Sequence, residues 1–236
     1  MNKFVICVGV PRTATSFLYQ LYRDCSNYSY TPVKESNFFV HNINISKNEI
    51  NDYFELFEKR SDSFFECSPA YFSSYKALKS INKHLESPEI IFFTRNVKDR
   101  FISQYNHHLD KISQNFPTFE SYCENAFIRS NDWFHPNYNL RCSNYLKAYK
   151  ILNKIFPKDR VHHIRYEELG HDPENWIKKI EKISDCNFIG WNKKNKTNQS
   201  INKNTELIFT KRLEKRLEKF EKEFLEYTLC ESKNIQ

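Results

Sequence analysis

A short turn after the first apolar segment places a cation and several hydroxyl groups where a helix is expected to begin. The apolar residues 3–9 lead into the segment GVPRTATSF, which contains Arg12, Thr13, Thr15 and Ser16. The backbone N–H groups and the dipole at a helix N-terminus favour a bound anion, so we predict a phosphate or sulfate site here. The segment lacks the final Gly-Lys-Ser/Thr of a Walker A loop, which argues against ATP with magnesium. Taken alone, it is equally consistent with an ordinary strand-to-helix turn.

A second cation and hydroxyl group follow the strongest later strand signal, EIIFFTR at residues 89–95. Arg95 stands at the carboxyl end of that strand, and Ser103 lies two turns along the helix predicted to follow. Open parallel sheets bind ligands at the carboxyl ends of their strands, so this pair can hold a second anion. The alternatives are an ion pair between Arg95 and Asp99 and a helix serine that bonds its own backbone.

These two segments resemble motifs of a known enzyme family. GVPRTATSFLYQLY resembles the 5′-phosphosulfate loop of sulfotransferases that use 3′-phosphoadenosine 5′-phosphosulfate (PAPS), and IIFFTRNVKDRFISQYNHHL resembles their 3′-phosphate motif. KESNFF (residues 34–39) and FFECSPAYF (residues 64–72) further resemble the Golgi heparan sulfate sulfotransferases, as does a YEEL element after a later strand. The likeness covers most of residues 3–184. It implies transfer of a sulfuryl group from PAPS to a hydroxyl acceptor, without a metal.

The resemblance also implies roles for individual residues. It assigns Arg12 to the transferred sulfuryl group, Glu35 to the general base and Tyr166 to the surroundings of the adenine. Lys196 lies where a basic loop closes over the cofactor in this family. The other implied cofactor contacts belong to the two phosphate motifs, namely Thr13, Ala14, Thr15, Ser16, Arg95 and Ser103.

Departures from the heparan sulfate enzymes leave the acceptor open. Cys67 stands where those enzymes carry Lys, and Asn37 stands where some carry His. Arg12 in place of the commoner Lys resembles protein-tyrosine sulfotransferases instead. We therefore expect a hydroxyl-bearing acceptor that is a glycan, a tyrosine or a small molecule. Glu66, directly before Cys67, is a competing candidate for the base.

Alternating strand and helix patterns must position these residues. We predict an α/β fold with a P-loop-like, open parallel sheet flanked by helices. From Thr205 to Leu229, apolar residues recur every three or four positions between Lys and Glu, including the pair Glu218 and Lys222, which predicts a C-terminal amphipathic helix. We expect one sulfotransferase domain over residues 1–236. The predicted strands are 3–9, 63–67, 89–95 and 160–166, and the predicted helices are one capped by Thr15 or Ser16 and others at 48–59, 75–85, 101–109, 118–128, 138–155 and 172–184.

The composition is that of a folded, basic protein. The 236 residues are 39% hydrophobic and 16% aromatic, which is too apolar for a disordered chain. Thirty-six Lys and Arg against 29 Asp and Glu give a formal charge of +7 and favour an anionic ligand. A solvated surface accounts for this charge better than a nucleic-acid site, so we expect no nucleic-acid partner.

Cysteine and histidine spacing gives no reason to predict a metal. The seven cysteines contain no CxxC pair, and the adjacent His162 and His163 would face opposite sides of a strand. We interpret the cysteines as reduced, packed thiols. The sequence shows neither a signal peptide nor a segment near the roughly 18 apolar residues of a membrane span, so we expect a soluble, cytoplasmic protein.

Two other function classes stay open. A P-loop-type nucleotide kinase would share the sheet and the anion loop but would need magnesium and a Walker-type lysine. A non-enzymatic basic module that binds RNA or glycan would explain the charge but gives no reason for two anion sites at strand ends.

Overall fold

The computed structural model describes residues 3–42, 45–46, 48–112, 116–191 and 207–233. In that part of the chain, five parallel strands form one sheet in the order β2-β3-β1-β4-β5. All six residues of the central strand, FVICVG, are buried, because neighbouring strands and the layers above and below exclude water from it. The strands are β1 (Phe4–Gly9), β2 (Ser29–Tyr30), β3 (Phe64–Cys67), β4 (Glu89–Thr94) and β5 (Val161–Arg165).

Helices occupy most of the remaining described chain, and short 3₁₀ turns lie at Tyr71–Ser73 and Lys158–Arg160. The helices are α1 (Thr15–Arg23), α2 (Phe38–His41), α3 (Ile50–Glu55), α4 (Tyr75–His84), α5 (Val97–Ile112), α6 (Phe119–Asn125), α7 (Pro136–Cys142), α8 (Tyr145–Ile155), α9 (Tyr166–His171), α10 (Pro173–Ser184) and α11 (Lys211–Lys233).

The chain divides into two compact units. The sheet unit comprises residues 1–94 and 150–198 and contains all five strands. Its core packs helix side chains on the sheet: Tyr22 stacks on Phe65 with ring centroids 3.7 Å apart, and Trp176 stacks on Phe93 at 5.4 Å. Each such buried aromatic ring removes a large apolar area from water, and aromatic pairing adds about 0.5–1.5 kcal/mol. This packing fixes α1 and α10 against the sheet.

The helical unit comprises residues 95–149 and 199–236. Its centre holds a fully buried Arg100, whose Nη2 donates to the Asn139 carbonyl oxygen and the Ser143 hydroxyl, both at 2.7 Å. Lys98 on α5 binds two carboxylates of α11, Glu214 at 2.7 Å and Glu218 at 2.8 Å. These contacts join α5 to α7 and α11 within the unit.

The α/β fold with a parallel sheet and a C-terminal helix is confirmed, and the four predicted strands match β1, β3, β4 and β5. The prediction of a single helix over 138–155 is wrong, because α7 ends at Cys142 and α8 begins at Tyr145. Of the pair expected within the C-terminal helix, Glu218 contacts Lys98, and Lys222 contacts Glu226 at 3.8 Å. The single-domain expectation stays a prediction.

The cysteines are thiols, six of them buried, but Cys230 is exposed, so the expectation that all seven pack inside is wrong for that residue. Among the helices described, none combines the length and the apolar character that a transmembrane segment requires.

Candidate active site

The turn between β1 and α1 has the backbone geometry of an anion-binding loop. β1 ends at Gly9, whose φ is 141° and whose hypothetical Cβ would lie 2.8 Å from the Pro69 carbonyl oxygen, so only glycine fits. Arg12 (φ 71°) and Ala14 (φ 69°) then adopt positive φ on either side of Thr13. Alternation in the sign of φ turns successive N–H groups toward one side of the chain, which forms a concave site for an anion.

The first turn of α1 adds to this loop. The helix begins at Thr15 with Ala14 as its N-cap and no side-chain capping bond, so the predicted cap by Thr15 or Ser16 is wrong. The buried Thr13 hydroxyl donates to the Val10 carbonyl oxygen at 2.6 Å, and this hydrogen bond stabilises the loop. The N–H groups of a first helical turn have no carbonyl one turn earlier, and no acidic residue lies in this one. The helix start therefore favours an anion.

The KESNFF segment, residues 34–39, lies against the carboxyl end of β3. The Glu35 N–H donates to the Cys67 carbonyl oxygen at 3.2 Å. Phe38 and Phe39 are both buried and anchor the other end of the segment. The paired phenylalanines thus hold the segment in the core.

Cys67 connects this segment to the anion loop. Its thiol donates to the Thr15 carbonyl oxygen at 3.5 Å. Burial, reinforced by the adjacent Cys7, raises the pKa of Cys67 well above its usual value, so the side chain is a neutral thiol at neutral pH. Two successive hydrogen bonds, from Glu35 to Cys67 and from Cys67 to Thr15, thus join the KESNFF segment to the first turn of α1.

The Glu35 side chain emerges from this anchored backbone. This side chain is 46% exposed and its carboxylate binds the Lys34 ammonium at 2.5 Å, while the Lys34 side chain is only 20% exposed. Glu35 has a φ of 66°, which is uncommon for a residue with a side chain and is concentrated at functional sites. An accessible carboxylate on a fixed backbone can meet the hydroxyl group of an incoming acceptor.

Glu66 is fully buried and surrounded by hydroxyl groups. Its Oε1 accepts from Ser36, from Ser68 at 2.7 Å and from Tyr71 at 2.7 Å, and its Oε2 accepts from Tyr53 at 2.9 Å. Burial and then the Glu66 charge raise the pKa of Tyr53 and of Tyr71 well above the usual value, so both phenols stay protonated donors. With four donors and no exposure, Glu66 is suited to hold the KESNFF segment through Ser36.

Arg95 and Ser103 lie in the helical unit, where Arg95 directly follows β4. The Tyr145 hydroxyl donates to the Arg95 carbonyl oxygen at 2.8 Å and fixes the backbone there. Asn96 Oδ1 accepts the Asp99 N–H at 3.1 Å and caps the start of α5. Ser103 is half-buried on that helix.

The remaining predicted cofactor contacts belong to the sheet unit. Tyr166 is the first residue of α9 and directly follows β5, so it lies at the carboxyl edge of the sheet, where β1 also ends. Lys196 lies outside the described residues.

Sequence reasoning missed two residues of the site, Lys34 and Ser36. The signal for Lys34 was its position directly before Glu35 in the KESNFF motif. Ser36 carried no such signal, because its role depends on Glu66, which lies 30 residues further along the chain.

The histidines of β5 have partners of their own. His162 Nε2 lies 2.6 Å from a Glu89 oxygen, and His163 Nε2 lies 2.7 Å from the Thr94 hydroxyl. Burial lowers the pKa of His163 to about 4, so its ring is neutral at physiological pH. No group of three or more His, Cys, Asp or Glu with metal-binding geometry occurs among the described residues.

Comparison with known proteins identifies the family to which this loop and sheet belong. The sequence model described as "Sulfotransferase domain" matches residues 2–228. The chain belongs to the sulfotransferase family. A solved sulfotransferase from Alicyclobacillus acidocaldarius shares the fold with a TM-score of 0.69 and 18% identity, covering 93% of this chain and 91% of the other. A sulfotransferase domain from the curacin biosynthetic pathway aligns with a TM-score of 0.52 and 13% identity, covering 80% and 75%.

A curated relative matches part of this sulfotransferase domain in sequence. Cytosolic sulfotransferase 7 of Arabidopsis thaliana is 29% identical over 129 residues, which are 51% of this chain and 36% of that protein. The match therefore spans little more than a third of the relative's length.

Proposed function

We propose that this sulfotransferase domain transfers the sulfuryl group of PAPS to a hydroxyl acceptor. One observation carries the proposal most strongly: hydrogen bonds through Cys67 tie the backbone of Glu35, whose side chain is accessible, to the anion loop that starts α1. A base and an anion site held to one another by the fold are what sulfuryl transfer to a hydroxyl group needs.

The cofactor roles follow from the family motifs. The loop residues Thr13, Ala14, Thr15 and Ser16 hold the 5′-phosphosulfate with their N–H groups and hydroxyls, as the positive φ values around Thr13 support. Arg95 and Ser103 bind the 3′-phosphate through charge-assisted and hydroxyl hydrogen bonds. Tyr166 lies beside the adenine, and the family resemblance adds Lys196 as a further cofactor contact.

The reaction proceeds by in-line displacement at sulfur. Glu35 removes the proton from the acceptor hydroxyl as its oxygen bonds to sulfur, and the bond from sulfur to the 5′-phosphate oxygen breaks. Arg12 and the loop N–H groups stabilise the negative charge that moves onto the departing phosphate. The products are the sulfated acceptor and adenosine 3′,5′-bisphosphate. Positioning and electrostatic stabilisation account for the chemistry, and no step requires a metal.

The competing function classes fit less well. A nucleotide kinase would need a Walker-type lysine and magnesium, which the segment GVPRTATSF does not provide for. A non-enzymatic module would leave the accessible Glu35 carboxylate and its anchored backbone without a role. A cytoplasmic location accords with the name of the Arabidopsis relative, and we include it in the proposal.

The first prediction concerns the product. Incubation with PAPS and an acceptor panel of p-nitrophenol, tyrosine methyl ester and a heparosan oligosaccharide should give one sulfated product and release adenosine 3′,5′-bisphosphate in equal amount. Mass spectrometry detects both species, and the reaction should proceed in the presence of a chelator. Unchanged PAPS with every acceptor would contradict the proposed function.

A further inference from the structure

Lys34 and Glu35 form an ion pair in which the cation is the more buried partner. Lys34 Nζ lies 2.5 Å from Glu35 Oε1, and the two side chains are 20% and 46% exposed. Neighbouring residues of opposite charge seldom lock together on an exposed surface, because two flexible side chains lose rotamer freedom for little gain. The Lys34 side chain is already restricted by the protein around it, so most of the loss of rotamer freedom falls on Glu35.

Lys34 lies near Cys67, the last residue of β3. Burial lowers the pKa of Lys34, whereas the charge and hydrogen bond of Glu35 raise it, so the side chain is a cation at neutral pH. Cys67 is a neutral thiol there, because burial raises its own pKa well above the usual value. Glu35 is consequently the negative charge that stabilises Lys34.

The Glu35 backbone is fixed while its carboxylate is not. The N–H is held by Cys67 at 3.2 Å, and the next residue, Ser36, is held by the buried Glu66. The side chain has several rotatable bonds beyond this anchored backbone, and the contact with Lys34 is what restricts it.

We infer that Lys34 is a positioning residue for the base: its partly buried ammonium holds the Glu35 carboxylate in the orientation that accepts the proton of the acceptor. This inference rests on the proposed function. Lys34 takes no part in bond making, so its effect passes through Glu35. A displacement of about 1 Å in a reacting group can cost about a hundredfold in rate.

The test is a double-mutant cycle on turnover, measured as release of adenosine 3′,5′-bisphosphate from PAPS with the acceptor that the panel identifies. Lys34→Met should lower kcat about 10- to 100-fold in the wild-type background. The same change should lower kcat by less than about twofold in the Glu35→Gln background, because the group that Lys34 positions is no longer a base. Lys34→Arg should recover most of the activity.

Two measurements separate positioning from structure and cofactor binding. Affinity for adenosine 3′,5′-bisphosphate should be unchanged in Lys34→Met. Arg23→Met is the matched control, since Arg23 also pairs with the next residue, Asp24, at 2.9 Å but lies at the end of α1, and it should keep full turnover. If Lys34→Met unfolds, Lys34→Gln takes its place in the cycle.

Several results would overturn the inference. Full turnover in Lys34→Met would show that Glu35 needs no such partner. Equal losses in both backgrounds would show that Lys34 acts by another route, either on the fold or directly on the substrates. A wild-type protein that binds the bisphosphate but transfers no sulfuryl group would refute the proposed function itself, a result distinct from the other two.

Discussion

Replacing Glu35 by glutamine should lower turnover by about a hundredfold or more, because general-base catalysis contributes about a hundredfold to ten-thousandfold. Glutamine keeps the shape of the side chain and can still bond its neighbours, but it cannot accept the acceptor's proton. The affinity for adenosine 3′,5′-bisphosphate should stay nearly unchanged. Release of the bisphosphate from PAPS measures the turnover, and calorimetry measures the affinity.

Glu66→Gln is the control for this assignment. Glu66 is buried and accepts hydrogen bonds from four hydroxyl groups, so replacing half of its oxygen acceptors with an amide should lower thermal stability. Glu35 is 46% exposed, and its replacement should leave thermal stability nearly unchanged. If Glu35→Gln keeps near-normal turnover while Glu66→Gln loses it with its stability and bisphosphate affinity intact, the base has been misassigned.

Replacing Arg95 by alanine should weaken the bisphosphate selectively. Loss of one charge-assisted hydrogen bond costs about 1.5–3 kcal/mol, which is roughly a 10- to 150-fold weaker Kd. Adenosine 5′-phosphate has no 3′-phosphate, so its affinity should change by much less. Calorimetry with both nucleotides measures the difference.

Lys98→Ala is a matched control for Arg95→Ala. Lys98 is three residues away and binds Glu214 and Glu218 of α11, so its removal should leave both affinities unchanged. An equal loss of both nucleotides in Arg95→Ala would mean that Arg95 acts on the fold or elsewhere in the site.

The sequence predicted the main strands because their signals are local. β1 and residues 90–93 of β4 are continuous runs of apolar residues, β3 begins with two phenylalanines, and none of the three strands has an exposed position. Such apolar segments indicate strands buried on both faces. β2 was missed because it has only two residues, Ser29 and Tyr30, and it exists through pairing with β3. Periodicity and composition cannot identify so short a strand.

The helix predicted over 138–155 fails for a tertiary reason. Ser143 stands at the break, and its hydroxyl accepts from the buried Arg100 at 2.7 Å. The apolar periodicity continues past this point, so the sequence pattern alone favours one helix. Arg100 lies 43 residues before Ser143 in the chain, so a local sequence pattern does not reveal this contact.

The candidate site divides in the same way. The anion loop was predictable, since its small residues, cation and hydroxyls follow one strand within a few positions. The different environments of Glu35 and Glu66 could not be predicted. Glu66 is enclosed by hydroxyls from segments both before and after it in the chain, including those of Tyr53 and Tyr71. Glu35 stays a predicted base, and the contrast in burial supports it over Glu66.

The proposed function requires above all that the protein bind a nucleotide carrying both a 3′- and a 5′-phosphate, without a metal. Calorimetric titration with adenosine 3′,5′-bisphosphate in the presence of a chelator tests it most directly, with ATP plus magnesium as the comparison. We predict one site for the bisphosphate, unaffected by the chelator, and much weaker binding of ATP with magnesium. Absence of bisphosphate binding, or binding that requires magnesium, would contradict the account and favour a nucleotide kinase.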